Sequence, residues 1–161
     1  MNIHFTDSNL FNQLMNASLF QVEVGSTMYG LQTDESDRDI LVIYAEGRVN
    51  QKSFLWEHHQ LQYKSDGVDY IFTTLPLFIR NWMSGDSTIN FEVLHCRELL
   101  GSDEMGFLTY DTSNYDTYNV LKSYLGLANR DLGPLKGRTK WTKGLYKKAT
   151  HFIRGVQSAY Q

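Results

Sequence analysis

The alternation of apolar and polar positions predicts how the chain of 161 residues begins. Apolar residues recur at helical spacing after Thr6 and Asp7, so we expect a helix over 7–17 that one of these residues caps. Period-two alternation over 19–24 predicts a strand, and the continuous apolar run over 40–44 predicts a second strand that is buried on both faces. The first part of the chain therefore reads as helix, strand, strand.

The middle of the chain predicts a β-hairpin, and the rest predicts helices. Segments 59–64 and 68–73 have strand-like composition, and the intervening Ser65-Asp66-Gly67 contains Asp-Gly, a strong hairpin-turn signal. Apolar residues then return to helical spacing. The predicted helices are 75–83, 89–95, 115–129 and 142–160.

This order of elements predicts an α+β (or α/β-like) domain with a helical C-terminal part. We expect residues 1–112 to form the core and residues 113–161 to form a basic helical part that packs on it. The last predicted helix meets no C-cap glycine before Gln161, so a longer helical part is compatible with the pattern.

Charge is divided unevenly along the chain, although its net value is only −3. Residues 1–116 hold 6 Lys and Arg against 17 Asp and Glu, whereas residues 117–161 hold 9 against 1. One interpretation is a basic helix that docks on an acidic body. The other is a cleft with metal-binding acids on one wall and anion-binding bases on the other.

The composition also predicts the compartment. No run approaches 18 apolar residues, and the N-terminus lacks a basic region followed by an unbroken apolar one. The single cysteine, Cys96, excludes an internal disulfide and a zinc site built from cysteines. We therefore expect a cytoplasmic protein without membrane contact.

Two aspartates stand at the start of the apolar strand. Asp37 and Asp39 alternate, so both side chains should leave on one face while Arg38 points the other way. Neighbouring carboxylates repel, and a hard cation such as Mg²⁺ relieves this repulsion. Asp69, an acid inside an otherwise apolar strand, is the candidate for a third ligand. The alternative is that the acids belong to a solvated turn.

Anion-binding groups are predicted on either side of these acids. Gly25 and Ser26 follow a strand directly, where backbone N–H groups and a hydroxyl can approach a phosphate closely. The basic C-terminal region can supply positive charge for a triphosphate. Its candidate side chains are Lys140, Lys143, Lys147 and Lys148. Trp141, which stands among them, either packs or stacks on a base.

Together these residues resemble the signature of the polymerase-beta-like nucleotidyltransferase superfamily. The pattern Gly-Ser-x-x-Tyr-Gly-Leu-x-Thr-x-x-Ser-Asp-x-Asp is present between Gly25 and Asp39. It is similar to predicted bacterial and phage nucleotidyltransferases, including a group associated with RNA ligases. Asp69 and the segments 90–94 and 147–151 also resemble residues of that group.

The resemblance implies a nucleotidyltransferase fold, with a mixed sheet flanked by helices and a site for two Mg²⁺ or Mn²⁺ ions. Asp37 and Asp39 would bind both ions, Asp69 would complete the ion next to the acceptor, and Gly25 with Ser26 would hold the β- and γ-phosphates of an NTP. The expected reaction transfers a nucleoside monophosphate to a hydroxyl of RNA, of a protein or of a small molecule. RNA is narrowly preferred because the C-terminal third is basic.

A second hypothesis keeps the fold but not the reaction. In it the chain is a non-catalytic nucleotidyltransferase-like module that binds nucleotide or RNA, or an antitoxin-like protein that binds a partner. Retention of Asp37, Asp39 and Asp69 favours the enzyme, because a module without catalysis has no need of three carboxylates placed for metal.

Overall fold

The chain divides into two compact units. The structure is a computed structural model, and it describes residues 2–28, 30, 32–33, 36–50, 59–85, 93, 100 and 117–160. The first unit comprises Met1–Asn81 and Ile89–Ser113, and the second comprises Trp82–Thr88 and Asn114–Gln161. Of the helix predicted over 89–95 only Val93, which is helical and buried, lies within the described residues.

The described part of the first unit holds one mixed β-sheet. Its strands are β1 (Asn2–His4), β2 (Ser18–Val24), β3 (Arg38–Tyr44), β4 (Gln60–Ser65) and β5 (Val68–Thr74). Their order in the sheet is β1-β4-β5-β3-β2. β3 is parallel to β5 and β1 to β4, whereas β2–β3 and β4–β5 are antiparallel. The predicted α+β class with a mixed sheet is therefore confirmed, although β1 was not predicted.

Four α-helices accompany the sheet in the described residues. They are α1 (Ser8–Asn16), α2 (Leu75–Ser84), α3 (Thr117–Leu132) and α4 (Lys143–Tyr160). The predicted N-cap of α1 is confirmed, because Asp7 Oδ1 accepts hydrogen bonds from the backbone N–H groups of Asn9 and Leu10, at 2.8 and 3.2 Å. At the start of α2 the Thr74 hydroxyl accepts one from Leu77 N–H at 3.3 Å.

Both faces of β3 are buried, as its continuous apolar run predicts. On one face Ile40 and Val42 share a buried cluster with Leu14 of α1. On the other face Leu41 shares a cluster with Phe78 of α2. Because side chains alternate along a strand, these clusters also determine on which face each polar residue of β3 lies.

In the second unit α3 and α4 pack closely against each other. A Cβ atom at Gly155 of α4 would lie 3.2 Å from the Tyr124 carbonyl oxygen and 3.3 Å from Ala128 Cβ, so this glycine allows the close approach. The Ser123 hydroxyl donates a hydrogen bond to the Gly85 carbonyl, which ties α3 to the segment after α2. Within the described ranges, no helix has the length and apolar character needed to cross a membrane.

The turn between β4 and β5 is the predicted one. Asp66 and Gly67 both have positive φ, 51° and 78°, as a type I′ turn requires. A two-residue loop of this kind sets the register of the strands that it joins, so Ser65 pairs with Val68 and Lys64 with Asp69.

Replacing Gly67 by alanine tests how strongly this turn contributes to stability. No atom lies within 4 Å of a Cβ at this position, so the cost comes from the backbone alone. We expect the free energy of unfolding, measured by urea denaturation, to fall by about 1–2 kcal/mol. Gly47→Ala is the matched control, because Gly47 also has open space around it and does not have positive φ. Equal losses in the two variants would contradict the backbone explanation.

Candidate functional site

Asp39 and Asp69 lie side by side on the adjacent strands β3 and β5. They are register partners in the parallel pairing of β3 and β5. Residues paired in this way point to the same face of the sheet, with backbones about 4.8 Å apart. Both residues are half-buried. The structure thus brings these two predicted site residues together.

Asp37 and Arg38 lie at the start of the same strand. Asp37 is exposed and precedes β3 by one residue. The Arg38 guanidinium forms an ion pair with Glu23 of β2, with Nε 3.0 Å from Oε1 and Nη2 3.1 Å from Oε2. The hydrogen bond and charge of Glu23 raise the pKa of Arg38. Arg38 therefore pairs with an acid of β2, on the face opposite to Asp39.

Lys64 contacts one of the three carboxylates, and the sequence analysis missed it. Its Nζ lies 3.2 Å from Oδ1 and 3.3 Å from Oδ2 of Asp69, its partner across the β4–β5 pair. The hydrogen bond that the Lys64 ammonium donates to Asp69, and then the charges of Asp69, Asp37 and Asp39, raise the pKa of Lys64. One cationic group therefore lies within electrostatic reach of all three predicted acids.

Gly25 lies against the carboxylate of Asp39. Val24, the last residue of β2, pairs with Asp39, so the chain leaves β2 directly beside that side chain. Gly25 has φ of +70°, and a Cβ there would lie 2.5 Å from Asp39 Oδ2. Only glycine suits this position, both for its backbone and for its space. The half-buried Ser26 follows in the turn.

The chain between Ser26 and Asp37 is described in part. Thr33 N–H donates to the Ser36 hydroxyl at 2.9 Å, and Ser36 N–H donates to the Thr33 carbonyl at 2.8 Å. These bonds form a tight turn immediately before the acids. The other motif residues in this stretch, Tyr29 and Leu31, lie outside the described residues.

The donor groups of the site suit a hard cation. Asp37, Asp39 and Asp69 offer carboxylate oxygens, which Mg²⁺ prefers. Among the residues that the structure describes, no three or more Asp, Glu, His or Cys side chains are grouped so that they could hold a metal ion. Proteins commonly bind Mg²⁺ through one or two carboxylates together with substrate phosphates, and the Asp39–Asp69 pair is suited to this mode.

The lysines predicted to contact the triphosphate all belong to the second unit. Lys140 precedes α4, Lys143 is its first residue, and Lys147 and Lys148 follow in its second turn. Lys140, Lys143 and Lys147 are exposed, and Lys148 Nζ lies 3.8 Å from Asp131 Oδ1. The predicted acids and the Gly25-Ser26 turn belong to the first unit.

Gly25→Ala tests whether the close approach of the turn to Asp39 is functional. The added methyl group must displace the Asp39 carboxylate, so we expect Mn²⁺ affinity, measured by isothermal titration, to fall by roughly 10- to 100-fold. Gly30→Ala is the matched control, because Gly30 has φ of +62° but no atom within 4 Å of its Cβ position. Both variants should lose similar stability. Equal loss of Mn²⁺ affinity in both would contradict the proposed contact.

Lys64→Ala tests whether the ammonium competes with a divalent cation. We expect Mn²⁺ to bind roughly 2- to 5-fold more tightly, as for the loss of an exposed ion pair. Because Asp69 raises the pKa of Lys64, its ammonium stays charged until the pH rises through a value above 10.5. The gain should therefore be the same at pH 6 and pH 9. Lys122→Ala, which removes an exposed lysine of α3, should leave the affinity unchanged.

Comparison with known proteins assigns the chain to no family, because no protein-family model, no curated protein and no solved structure matches it. Its function must therefore be inferred from its own residues and geometry.

Proposed function

We propose that the protein is a metal-dependent nucleotidyltransferase. It transfers a nucleoside monophosphate from an NTP to a hydroxyl group and releases pyrophosphate. The observation that carries this proposal is the register pairing of Asp39 with Asp69, with Gly25 packed against Asp39. The proposed phosphate-binding turn at Gly25 and the two carboxylates then meet at the start of β3 and β5, as this reaction requires.

The Gly25-Ser26 turn binds the triphosphate in this proposal. Its backbone N–H groups and the Ser26 hydroxyl donate hydrogen bonds to the β- and γ-phosphate oxygens. A phosphate held there lies close to the Asp39 carboxylate, and the two negative groups repel. When bound, Mg²⁺ supplies the charge neutralisation and the Lewis acid for the phosphate oxygens. Asp37 and Asp39 would hold both ions, and Asp69 would hold the one next to the acceptor.

The reaction is an in-line displacement at the α-phosphorus. The acceptor oxygen forms a bond to the α-phosphorus while the bond from that phosphorus to the bridging oxygen of the β-phosphate breaks. The leaving pyrophosphate takes the electron pair. Asp69 accepts the proton of the acceptor hydroxyl on a carboxylate oxygen, and its neighbour Lys64 holds that carboxylate in place beforehand.

Positive charge also has to meet the triphosphate, which brings about four negative charges to an acidic site. Lys64 is the cation beside the acids. The prediction that Lys140, Lys143, Lys147 and Lys148 also contact the triphosphate rests on the sequence alone. The acceptor hydroxyl belongs to RNA in the preferred form of this proposal, and to a protein or small molecule otherwise.

One observation favours a second candidate function. Asp69 forms an ion pair with Lys64, so both of its carboxylate oxygens already have a cationic partner. A nucleotidyltransferase-like module that binds nucleotide or RNA without catalysis would tolerate this pair. Turnover distinguishes the two candidates, because only the enzyme releases pyrophosphate.

Asp39→Asn tests the catalytic proposal. The substitution keeps the size of the side chain but removes a negative oxygen. Loss of a residue that only orients a metal ligand already costs up to about 100-fold, so loss of a direct ligand should lower pyrophosphate release from NTPs with Mg²⁺ and RNA by at least about 100-fold. Asp66→Asn is the matched control, because Asp66 lies in the hairpin turn and asparagine tolerates its φ of 51°. If the wild-type protein binds NTP but releases no pyrophosphate with RNA or protein acceptors, the binding module is supported instead.

A further inference from the structure

The sequence of the C-terminal helical region carries a large excess of positive charge. Between residues 117 and 161 the only acidic residue is Asp131, against 9 Lys and Arg. Asp131 is only 2% exposed. Its Oδ2 lies 3.3 Å from Arg130 Nη2 and 3.7 Å from His151 Nδ1, and its Oδ1 lies 3.8 Å from Lys148 Nζ. The one negative charge of this region is therefore enclosed by cationic or protonatable groups.

The remaining cations concentrate around the start of α4. Five of them fall within twelve residues and all are exposed. We call this stretch the basic segment, and its cations are Lys136, Arg138, Lys140, Lys143 and Lys147. Such a density of exposed positive charge is typical of surfaces that bind a polyanion.

Two exposed aromatic rings lie within the basic segment. Trp141 is 46% exposed and Tyr146 is 62% exposed, although large aromatic side chains usually contribute to a core. Their ring centroids lie 5.2 Å apart with an interplanar angle of 35°. The two rings hold each other in place and form what we call the aromatic platform, which offers flat apolar surface to a ligand.

We propose that the aromatic platform and the basic segment bind single-stranded nucleic acid. Unpaired bases stack on Trp141 and Tyr146, and the cations on either side contact the phosphates. This combination of aromatic rings and a cationic path is how proteins bind single strands without reading their sequence. A duplex hides its base faces, so the platform favours single strands. The inference rests on the proposed function in one respect, since it takes the bound nucleic acid as the molecule whose hydroxyl group accepts the nucleoside monophosphate.

An anionic membrane is the alternative polyanion, and the residues beside the platform argue against it. Membrane-binding surfaces surround their aromatic rings with aliphatic side chains. The neighbours of Trp141 are instead Lys140 and Thr142, both exposed and polar. The chain on either side of Trp141 is therefore polar.

The test measures binding of a labelled 12-nucleotide oligo(U) RNA to the full chain by fluorescence anisotropy, without NTP or divalent cation. Trp141→Ala should weaken binding by roughly 5- to 150-fold, the range for loss of one stacked base, and Trp141→Phe should retain most of the affinity. Lys140→Ala combined with Lys147→Ala should reduce the slope of log K against log salt by about 1.4, or about 0.7 for each lost phosphate contact.

Two control variants remove similar groups from the N-terminal half of α3. Tyr118→Ala removes an aromatic residue that is 71% exposed, and Lys122→Ala removes an exposed lysine. Lys122 lies nine residues before Asp131, or about 14 Å along the helix. Neither variant should change oligonucleotide affinity.

Several outcomes would overturn the inference. These are absence of oligonucleotide binding, affinity that Trp141→Ala leaves unchanged, tighter binding of a duplex than of a single strand, and Trp141-dependent binding of phosphatidylserine vesicles without binding of RNA. A matching single-stranded DNA shows whether the 2′-hydroxyl contributes, and binding of either strand supports the proposal.

Binding and catalysis can fail separately. Asp39→Asn should keep oligonucleotide binding, because Asp39 lies in the first unit. Oligonucleotide binding without pyrophosphate release would leave the inference standing and reject the proposed function. Pyrophosphate release by a protein that binds no oligonucleotide would reject the inference alone.

Discussion

The parallel pairing of β3 with β5 is the constraint on which the sheet and the candidate site both depend. The two strands pair residue for residue from Arg38 with Val68 to Tyr44 with Thr74. Both faces of β3 are buried, so a slip of one residue would exchange its side chains between the clusters that α1 and α2 cover and would disrupt the packing of both. The same register sets Asp39 beside Asp69. Burial of apolar surface, rather than any attraction between acids, therefore holds the two repelling carboxylates together.

The neighbouring charges determine what the carboxylates can do. Arg38 is adjacent in sequence to Asp37 and Asp39, but it pairs with Glu23. Lys64 is instead the residue that neutralises the acids, and its side chain is 61% exposed. Exposed ion pairs contribute little stability and break readily. The proposed divalent cation would therefore replace the Lys64 ammonium at small cost.

Elements set by local chemistry were predictable from the sequence. Asp7 caps α1, the strands β2 to β5 and the four α-helices lie close to their predicted bounds, and the Asp-Gly turn joins β4 to β5. The pairing of Lys64 with Asp69 was also predictable from the sequence. A two-residue loop at Asp66 and Gly67 fixes the register of β4 and β5, and this register places Lys64 opposite Asp69.

Features that depend on contacts between distant segments were not predictable. β1 is three residues long, and it pairs with β4 more than fifty residues later, so no pattern within it identifies a strand. The contact of Gly25 with Asp39 follows from the β2–β3 register. Burial of Asp131 depends on how α3 packs against α4, because a lone acid in a basic stretch is expected to face solvent.

The carboxylates of the two units lie in opposite environments, partly exposed in the first unit and buried at Asp131 in the second, and this difference bears on function. At the start of β3 and β5, the repelling acids Asp39 and Asp69 lie together at a partly exposed position, where a cation would lower their free energy. In α3, Asp131 is buried, and burial of a charge costs free energy unless partners compensate it. Arg130, Lys148 and His151 supply that compensation. Asp131 therefore ties α3 to α4 through Lys148 and His151, and its buried carboxylate is not presented to ligands at the surface. The proposed cation site therefore relies on partly exposed acids, whereas the proposed polyanion surface relies on an acid that burial withdraws from the surface.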